Sequence, residues 1–334
     1  MAALDKLLEL LGTNRTRMEW KLRAWRRAWE RQVGRFKNRT QTLAYQHQTC
    51  PECSHPADAD AKVCTRCGVA LGGRTAHRAR RLLGLVWADG MPVAATILTT
   101  AIAAMYVVSS MWGPNQGLGG LGLAPHYLAL ERFGALATTE VQAGEWWRMS
   151  TATFLHAHLL HLGFNLMSLW TASIYLEEMI GAKKTLALYL ALGLTGSVAS
   201  FVWHTQMPPY VGSSVGASGA VCGLIGVALG FSLRKRNVAR HNVANYAVWG
   251  AWIVIIGLSS WQIDNAAHAG GFVPGIVAGL LVRRRRDTAP TASRVWTYAL
   301  LALAAFTIAC FVIASGHHVP PAWIEAARSA NELD

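Results

Sequence analysis

The stretch "VGSSVGASGAVCGLIG", residues 211–226, lies where the chain should be plainly apolar, yet it holds three serines, five glycines and a cysteine. Two explanations compete for it. Small residues let membrane helices approach closely, and a hydroxyl at the mouth of a membrane helix can act as a nucleophile. The choice between them depends on what the rest of the chain places nearby.

Hydrophobic residues fill 52% of the 334 positions and charged residues 15%, more apolar content than a single soluble core needs. The excess gathers near residues 91–112, 156–176, 185–205, 216–233, 243–260, 266–282 and 295–315. Each stretch is close to the ~20 residues that cross a hydrocarbon layer ~30 Å thick. The expected fold class is therefore an all-α polytopic membrane protein with seven spans.

The net charge of +13 is unevenly spread. Lys183 and Lys184, then Arg234, Lys235, Arg236 and Arg240, then Arg283, Arg284, Arg285, Arg286 and Arg294 occupy alternate connections; the opposite ones hold Arg132, Arg148 and Arg328. This bias predicts a cytoplasmic N-terminus and an outer C-terminus. Residues 1–80 are too charged to contain the apolar core of a signal peptide, so the first span is expected to be its own insertion signal.

Cys50, Cys53, Cys64 and Cys67 stand in "CPECSHPADADAKVCTRC", two CxxC pairs separated by ten residues, in a region expected to face the reducing cytoplasm. Four thiolates at this spacing suit a closed, structural Zn²⁺ site, a zinc ribbon over residues 49–72. A redox dithiol pair is the other reading of these cysteines. Upstream, residues 1–48 interleave Trp20, Trp25 and Trp29 with Arg and Lys, fitting either a helix on an anionic membrane surface or a solvated helix beside the ribbon. No motif indicates nucleic-acid binding. A basic linker, residues 73–90, leads to the first span.

Three polar clusters interrupt the spans. The second span opens with His156, His158, His161 and Asn165; the fourth with Gly216, Ala217, Ser218 and Gly219; the sixth with His268. In the expected topology all three begin at the outer face. Taken singly, each has a structural explanation: glycines pack helices, and a lone serine bonds to its own backbone. Taken together, intramembrane histidines are costly and point to an interior cavity. A serine, a histidine able to act as base and the same-face pair His161 and Asn165 meet the minimum for acyl transfer. No Asp or Glu lies within these spans, so the expectation is a dyad.

The set "EWWRMSTATFLHAHLLHLGFN", "GASGAV" and "AHAGGFVPG" resembles the rhomboid family of intramembrane serine proteases over about residues 91–282. The resemblance implies a six-helix core, with residues 283–316 adding a basic loop and a seventh helix and residues 317–334 an outer tail. It implies Ser218 as nucleophile, His268 as general base, and His161 with Asn165 as oxyanion stabilisers, helped by the Ser218 backbone amide. Gly216 would keep the approach to Ser218 open, and His156 would line the cavity. Trp147 and Arg148 match a structural pair in the long first outer loop, residues 113–155. Family members often carry an aromatic residue where this chain has Cys222, so orientation of His268 would depend on another neighbour, such as one from the sixth span.

The implied activity is endopeptidase cleavage of single-span or polytopic membrane proteins near the outer face, within membrane lipid and without a catalytic cofactor. Two other classes stay open: a weak or inactive rhomboid-like protein that binds transmembrane helices, and a transporter using the histidines as a path. The second would need polar residues through the full depth, and here they stop near one side. A bacterial inner membrane is the default location, and the ribbon could engage a cytoplasmic partner.

Overall fold

The structure, a computed structural model, describes residues 47–50, 55–58, 61–66, 68, 71, 92–118, 124–206, 213–234, 263–284 and 290–331. The chain divides into two compact units, one of residues 1–50 and 55–91, the other of residues 51–54 and 92–334.

In the first unit, strand β1 (His47–Thr49) pairs antiparallel with β2 (Pro56–Asp58), Thr49 opposite Pro56. The amide of Cys50 donates to the His55 carbonyl at 2.9 Å and closes the hairpin over the first CxxC. Gly68, at φ +70°, donates to the Cys64 carbonyl at 2.9 Å and turns the chain at the second. Cys50 and Cys64 are buried. Cys53 and Cys67 lie outside the described residues, as do the basic segment before residue 47 and the linker over 73–90. Among the described residues no three metal-binding side chains cluster.

The second unit is helical. It runs α1 (Val93–Asn115), α2 (Tyr127–Phe133), β3 (Leu136–Ala137), α3 (Thr138–Gln142), α4 (Arg148–Thr151), a 3-10 turn (Ala152–Phe154), α5 (Leu159–Ile180), α6 (Ala182–Thr205), β4 (Ser213–Ser214), α7 (Ser218–Leu233), α8 (Asn265–Leu281), α9 (Pro290–Gly316) and α10 (Pro321–Asn331). Helices α1, α5, α6 and Thr291–Gly316 of α9 are long and apolar enough to cross a membrane; α7 and α8 are apolar but shorter. At 1.5 Å per residue the 16-residue α7 reaches about 24 Å, less than the ~30 Å of hydrocarbon, so one of its ends lies below a surface. The expected span over 243–260 falls outside the described residues.

Three expectations are corrected. Helix α5 starts at Leu159 rather than 156, because the His158 ring accepts the His161 amide at 3.1 Å and caps the helix there. His156 therefore precedes the span. Helix α7 starts at Ser218, after the extended residues Ser213–Ser214, which pair with Leu136–Ala137 in a two-stranded sheet. The stretch expected as an outer tail folds into α10, whose Ala327 packs with Val319, Leu118 and Leu128.

One end of the bundle gathers basic residues. There Lys184 donates to the Arg283 carbonyl at 3.0 Å and Lys183 to Ser293 Oγ at 3.2 Å, tying the start of α6 to the end of α8 and the start of α9. Glu177, late in α5, accepts the Ala95 amide at 2.9 Å, a carboxylate at the N-terminus of α1, where the helix dipole favours it. The core is built from Ile102, Leu169, Leu176, Tyr189, Leu224, Ile225 and Phe231. Leu160, Phe164 and Met167 of α5 and Val202 and Trp203 of α6 are exposed, an apolar surface that only a membrane hides.

At the centre, almost every residue of α7 is buried, and glycines let α8 lie directly on its backbone. A methyl group at Gly271 would run into the Gly219 carbonyl, one at Gly275 into that of Gly223, and one at Gly279 into that of Val227. Three glycines one turn apart set the register of the two helices.

Candidate active site

That register fixes what lies at the other end of the bundle. Gly219 stands against the first turn of α8: a methyl there would be 3.2 Å from the Ala267 carbonyl oxygen. Ser218 precedes Gly219 and His268 follows Ala267, so the packing brings the turns that carry the serine and the histidine together. Ser218 is partly exposed as the first residue of α7. The amides of a helix's first turn have no intrahelical acceptors, which leaves donors beside the hydroxyl. No hydrogen bond joins Ser218 and His268 among the described residues.

The segment before Ser218 is held from the side. The Gly216 amide donates to the Ala152 carbonyl at 3.0 Å, and the Ala217 amide to His156 Nε2 at 3.4 Å. His156 is fully buried. Gly216 has φ +133°, a backbone angle that disfavours side chains. A methyl at Gly216 would stand 2.8 Å from both Cε1 and Nε2 of His161 and 3.8 Å from Ser218 Oγ. The missing side chain thus leaves open the space where the His161 ring and the Ser218 hydroxyl meet.

His161 lies in the first turn of α5, its ring centroid 5.0 Å from that of His156 and 5.7 Å from that of His158. Electrostatic coupling also links it to His268. Asn165 is buried one turn further on, and its Nδ2 donates to the His161 carbonyl at 2.9 Å. One of its two N–H donors is thus engaged on its own helix and one is left. Ser218, His268, His161, Gly216 and His156 come together; Asn165 flanks them with part of its donor capacity used.

Trp147 and Arg148 lie elsewhere, in the loop between α1 and α5. The fully buried Arg148 guanidinium forms ion pairs with Glu131 at 2.6 Å and Glu145 at 2.5 Å and donates to the carbonyls of Glu131 and Ala135 at 3.0 and 2.9 Å. It also lies 4.9 Å from the Trp147 ring. Burial pushes the Glu131 carboxyl above the ordinary carboxylate range, despite the pull of Arg148. His317, just past α9, joins this cluster: Nε2 is 3.4 Å from Arg148 and Nδ1 3.6 Å from Glu145. Arg132 donates to the carbonyls of Ala314 and Ser315 at 2.6 and 2.9 Å, capping the end of α9. The loop is a folded clamp fastened to the last long helix.

Sequence reasoning passed over His317, Glu131 and Glu145, whose partners are distant in the chain. It also passed over Asp264 and Ser200. Asp264 had a readable signal, an Asp immediately before an apolar helix.

A family model described as the Rhomboid domain matches residues 143–285. The rhomboid YdcA of Bacillus subtilis (strain 168) is 33% identical over 148 residues, 44% of this chain and 72% of that protein. The chain belongs to the rhomboid family. Rhomboid protease GluP of the same organism is 38% identical over 153 residues, 45% of this chain and 28% of GluP. RHOMBOID-like protein 5 of Arabidopsis thaliana is 34% identical over 166 residues, 49% of this chain and 52% of the plant protein. The chain thus spans about half of the plant rhomboid and less of GluP. Membership fits an integral membrane protein of all-α fold, and the matched residues 143–285 contain every member of the polar cluster.

Proposed function

We propose that this rhomboid is an intramembrane serine endopeptidase acting on membrane-protein substrates within the lipid layer. The observation that carries the reading is the glycine-set contact of α7 on α8, which packs Gly219, next to Ser218, against Ala267, next to His268, while Gly216 faces both His161 and the Ser218 hydroxyl. In this reading Ser218 Oγ attacks the scissile carbonyl, and His268 takes its proton and later passes it to the leaving amine. His161, the remaining amide donor of Asn165 and the Ser218 backbone amide would stabilise the oxyanion. His156 acts indirectly, by holding Ala217 and hence the turn before Ser218. Trp147 and Arg148 stay outside the chemistry and fix the loop beside it.

The short α7 explains how water reaches the reaction. In this reading the end of α7 that lies below a surface is its first residue, beside His156 and His161, and polar groups and non-helical backbone at that depth are tolerated where they line a water-filled indentation. A substrate helix must unwind there to expose its carbonyls, so cleavage is expected near the membrane surface at small or helix-breaking residues. Basic residues at the opposite end favour a cytoplasmic N-terminus and an outward-facing site, in a bacterial inner membrane.

The test is labelling of the detergent-solubilised protein with a fluorophosphonate serine probe. Wild type is expected to label, and Ser218→Ala and His268→Ala are not. A folded wild type that stays unlabelled would favour the inactive, helix-binding reading.

For residues 49–72 we propose a structural zinc ribbon. Cys50 and Cys64 fit such a site: both are buried, each opens a CxxC, and each sits at a backbone turn held by a 2.9 Å hydrogen bond. Cys53 and Cys67 would complete the thiolate set, and the metal would stabilise the fold of this segment. Metal analysis of the purified protein is expected to give about one zinc per chain, lost on replacing Cys50 and Cys64. A cytoplasmic partner is a natural role for the ribbon.

A further inference from the structure

The base of the proposed dyad lacks the support a histidine base ordinarily has. Among the described residues His268 Nδ1 is buried and makes no hydrogen bond, so none of their acids grips the ring from behind as in a Ser-His-Asp triad. Cys222, buried one turn beyond Ser218, is too small to stack against it. His268 also sits in the first turn of α8, where the positive end of the helix dipole opposes an imidazolium.

Asp264 answers both needs. It is the N-cap of α8: Oδ1 accepts the Ala267 amide at 2.9 Å and its backbone carbonyl accepts the His268 amide at 3.1 Å. Oδ2 accepts the hydroxyl of Ser200 from α6, and Ser200 Oγ lies 3.3 Å from His204 Nδ1. The carboxylate is thus fixed from two helices. Close packing reinforces the junction, since a methyl at Gly196 of α6 would be 2.9 Å from the Ala267 carbonyl oxygen. Asp264 and His268 are four residues apart, and the field of the carboxylate reaches the imidazole. The other titratable group whose charge is felt at the ring, among the described residues, is His161 on α5, with His204 of α6 behind Ser200.

We propose that Asp264, anchored by Ser200, is the positioning residue of His268: it fixes the turn that carries the base and supplies the negative charge that offsets the helix dipole as the imidazolium forms. The inference rests on the protease reading above. The proton moves from Ser218 Oγ to His268 and then to the leaving amine, and Asp264 takes no part in the transfer.

The experiment compares rates of fluorophosphonate labelling across pH, with thermal unfolding, for full-length wild type, Asp264→Asn, Asp264→Ala and Ser200→Ala. Asn caps a helix as well as Asp does. Asp264→Asn is therefore expected to unfold at the wild-type temperature yet to label about tenfold more slowly at neutral pH, from the loss of one charge at a helix start. Its labelling is also expected to set in at lower pH, because the imidazolium has lost its counter-charge. Asp264→Ala should lose stability as well as rate. Ser200→Ala, which keeps the charge and frees it from α6, should label more slowly with an unmoved onset. An Asp264→Asn protein that labels with wild-type rate and onset overturns the proposal and leaves Asp264 a helix cap. Should Asp264→Asn fail to fold, a folded Ser200→Ala with wild-type rate has the same force. A wild type without Ser218-dependent labelling overturns the protease reading itself, before any Asp264 variant is compared.

Discussion

Adding one methyl group at Gly271 tests whether the contact between α7 and α8 positions the site. A Cβ there would overlap the Gly219 carbonyl oxygen and stand 2.9 Å from its carbon and 3.3 Å from the Gly223 nitrogen. These neighbours are backbone, so no side chain can swing aside. Ordinary carbon–carbon contact is about 3.5–4 Å, and restoring it requires the helices to part by roughly 1 Å. Overpacking of this kind costs about 1–3 kcal/mol of stability. The larger effect is on chemistry. Ser218 and His268 ride on the two helices being separated, and a 1 Å misplacement of reacting groups lowers rates about 100-fold. Gly271→Ala is therefore expected to fold, unfold at a lower temperature and label with fluorophosphonate about 100-fold more slowly. Gly275→Ala, whose methyl would lie 2.9 Å from the Gly223 carbonyl carbon but one turn further from the site, should lose comparable stability and less rate. Gly163→Ala, on α5 with no atom within 4 Å of its new methyl, is the control and should leave both unchanged or gain slightly in stability. Gly271→Ala labelling within about threefold of wild type would refute the idea that this contact sets the catalytic geometry.

Arg148→Ala should destabilise the protein by about 2–4 kcal/mol in thermal unfolding, since it strands two carboxylates and two carbonyls; the range is set below that of a fully buried pair because Glu131 and Glu145 keep 18% and 27% of their side-chain surface exposed. Arg148→Lys, a point charge without the guanidinium fork, should recover less than half of that loss. Burial, more than the opposing pull of Glu145, lowers the basicity of His317, so the clamped state resists its protonation. As pH falls below the ordinary imidazole value of 6.5, the released state binds the proton first and the clamp weakens. The unfolding temperature of wild type should then drop more between about pH 7.5 and 5.5 than that of His317→Gln, a comparison in which the contribution of Glu131 cancels. Equal drops would remove His317 from the clamp.

What the sequence made legible follows from periodicity and length. Runs of apolar residues locate the helices, because in lipid each span must satisfy its own backbone and a helix does so locally. Helix starts were harder. His158 caps α5 with a ring nitrogen, an acceptor outside the usual Ser, Thr, Asp and Asn set, so the apolar pattern placed the start near His156 instead. The loop after α1 was legible only as a long one. Its fold is decided by the Arg148 guanidinium, whose partners at Glu131, Ala135, Glu145 and His317 span a large part of the chain. Helix α10 was missed because its amphipathic face has meaning only against Leu118 and Leu128.

For the site, alternate helices starting at one face placed Ser218, His161 and His268 at the same level, and this much needed no structure. The use each polar group makes of its neighbours did need it. Asn165 spends one amide hydrogen on the His161 carbonyl, and His156 accepts the Ala217 amide in the turn before Ser218. The two explanations offered for residues 211–226 also turn out to depend on each other. Gly219 is favoured by the close Ala267 carbonyl and Gly223 by Leu192, so packing alone explains these two. Yet that packing is what joins the turn carrying Ser218 to the turn carrying His268, whereas Gly216, held at φ +133°, faces the His161 ring and the Ser218 hydroxyl. Helix contact accounts for Gly219 and Gly223; the positive φ and the space kept between the His161 ring and the hydroxyl account for Gly216, and that space needs the other two to hold the hydroxyl in place.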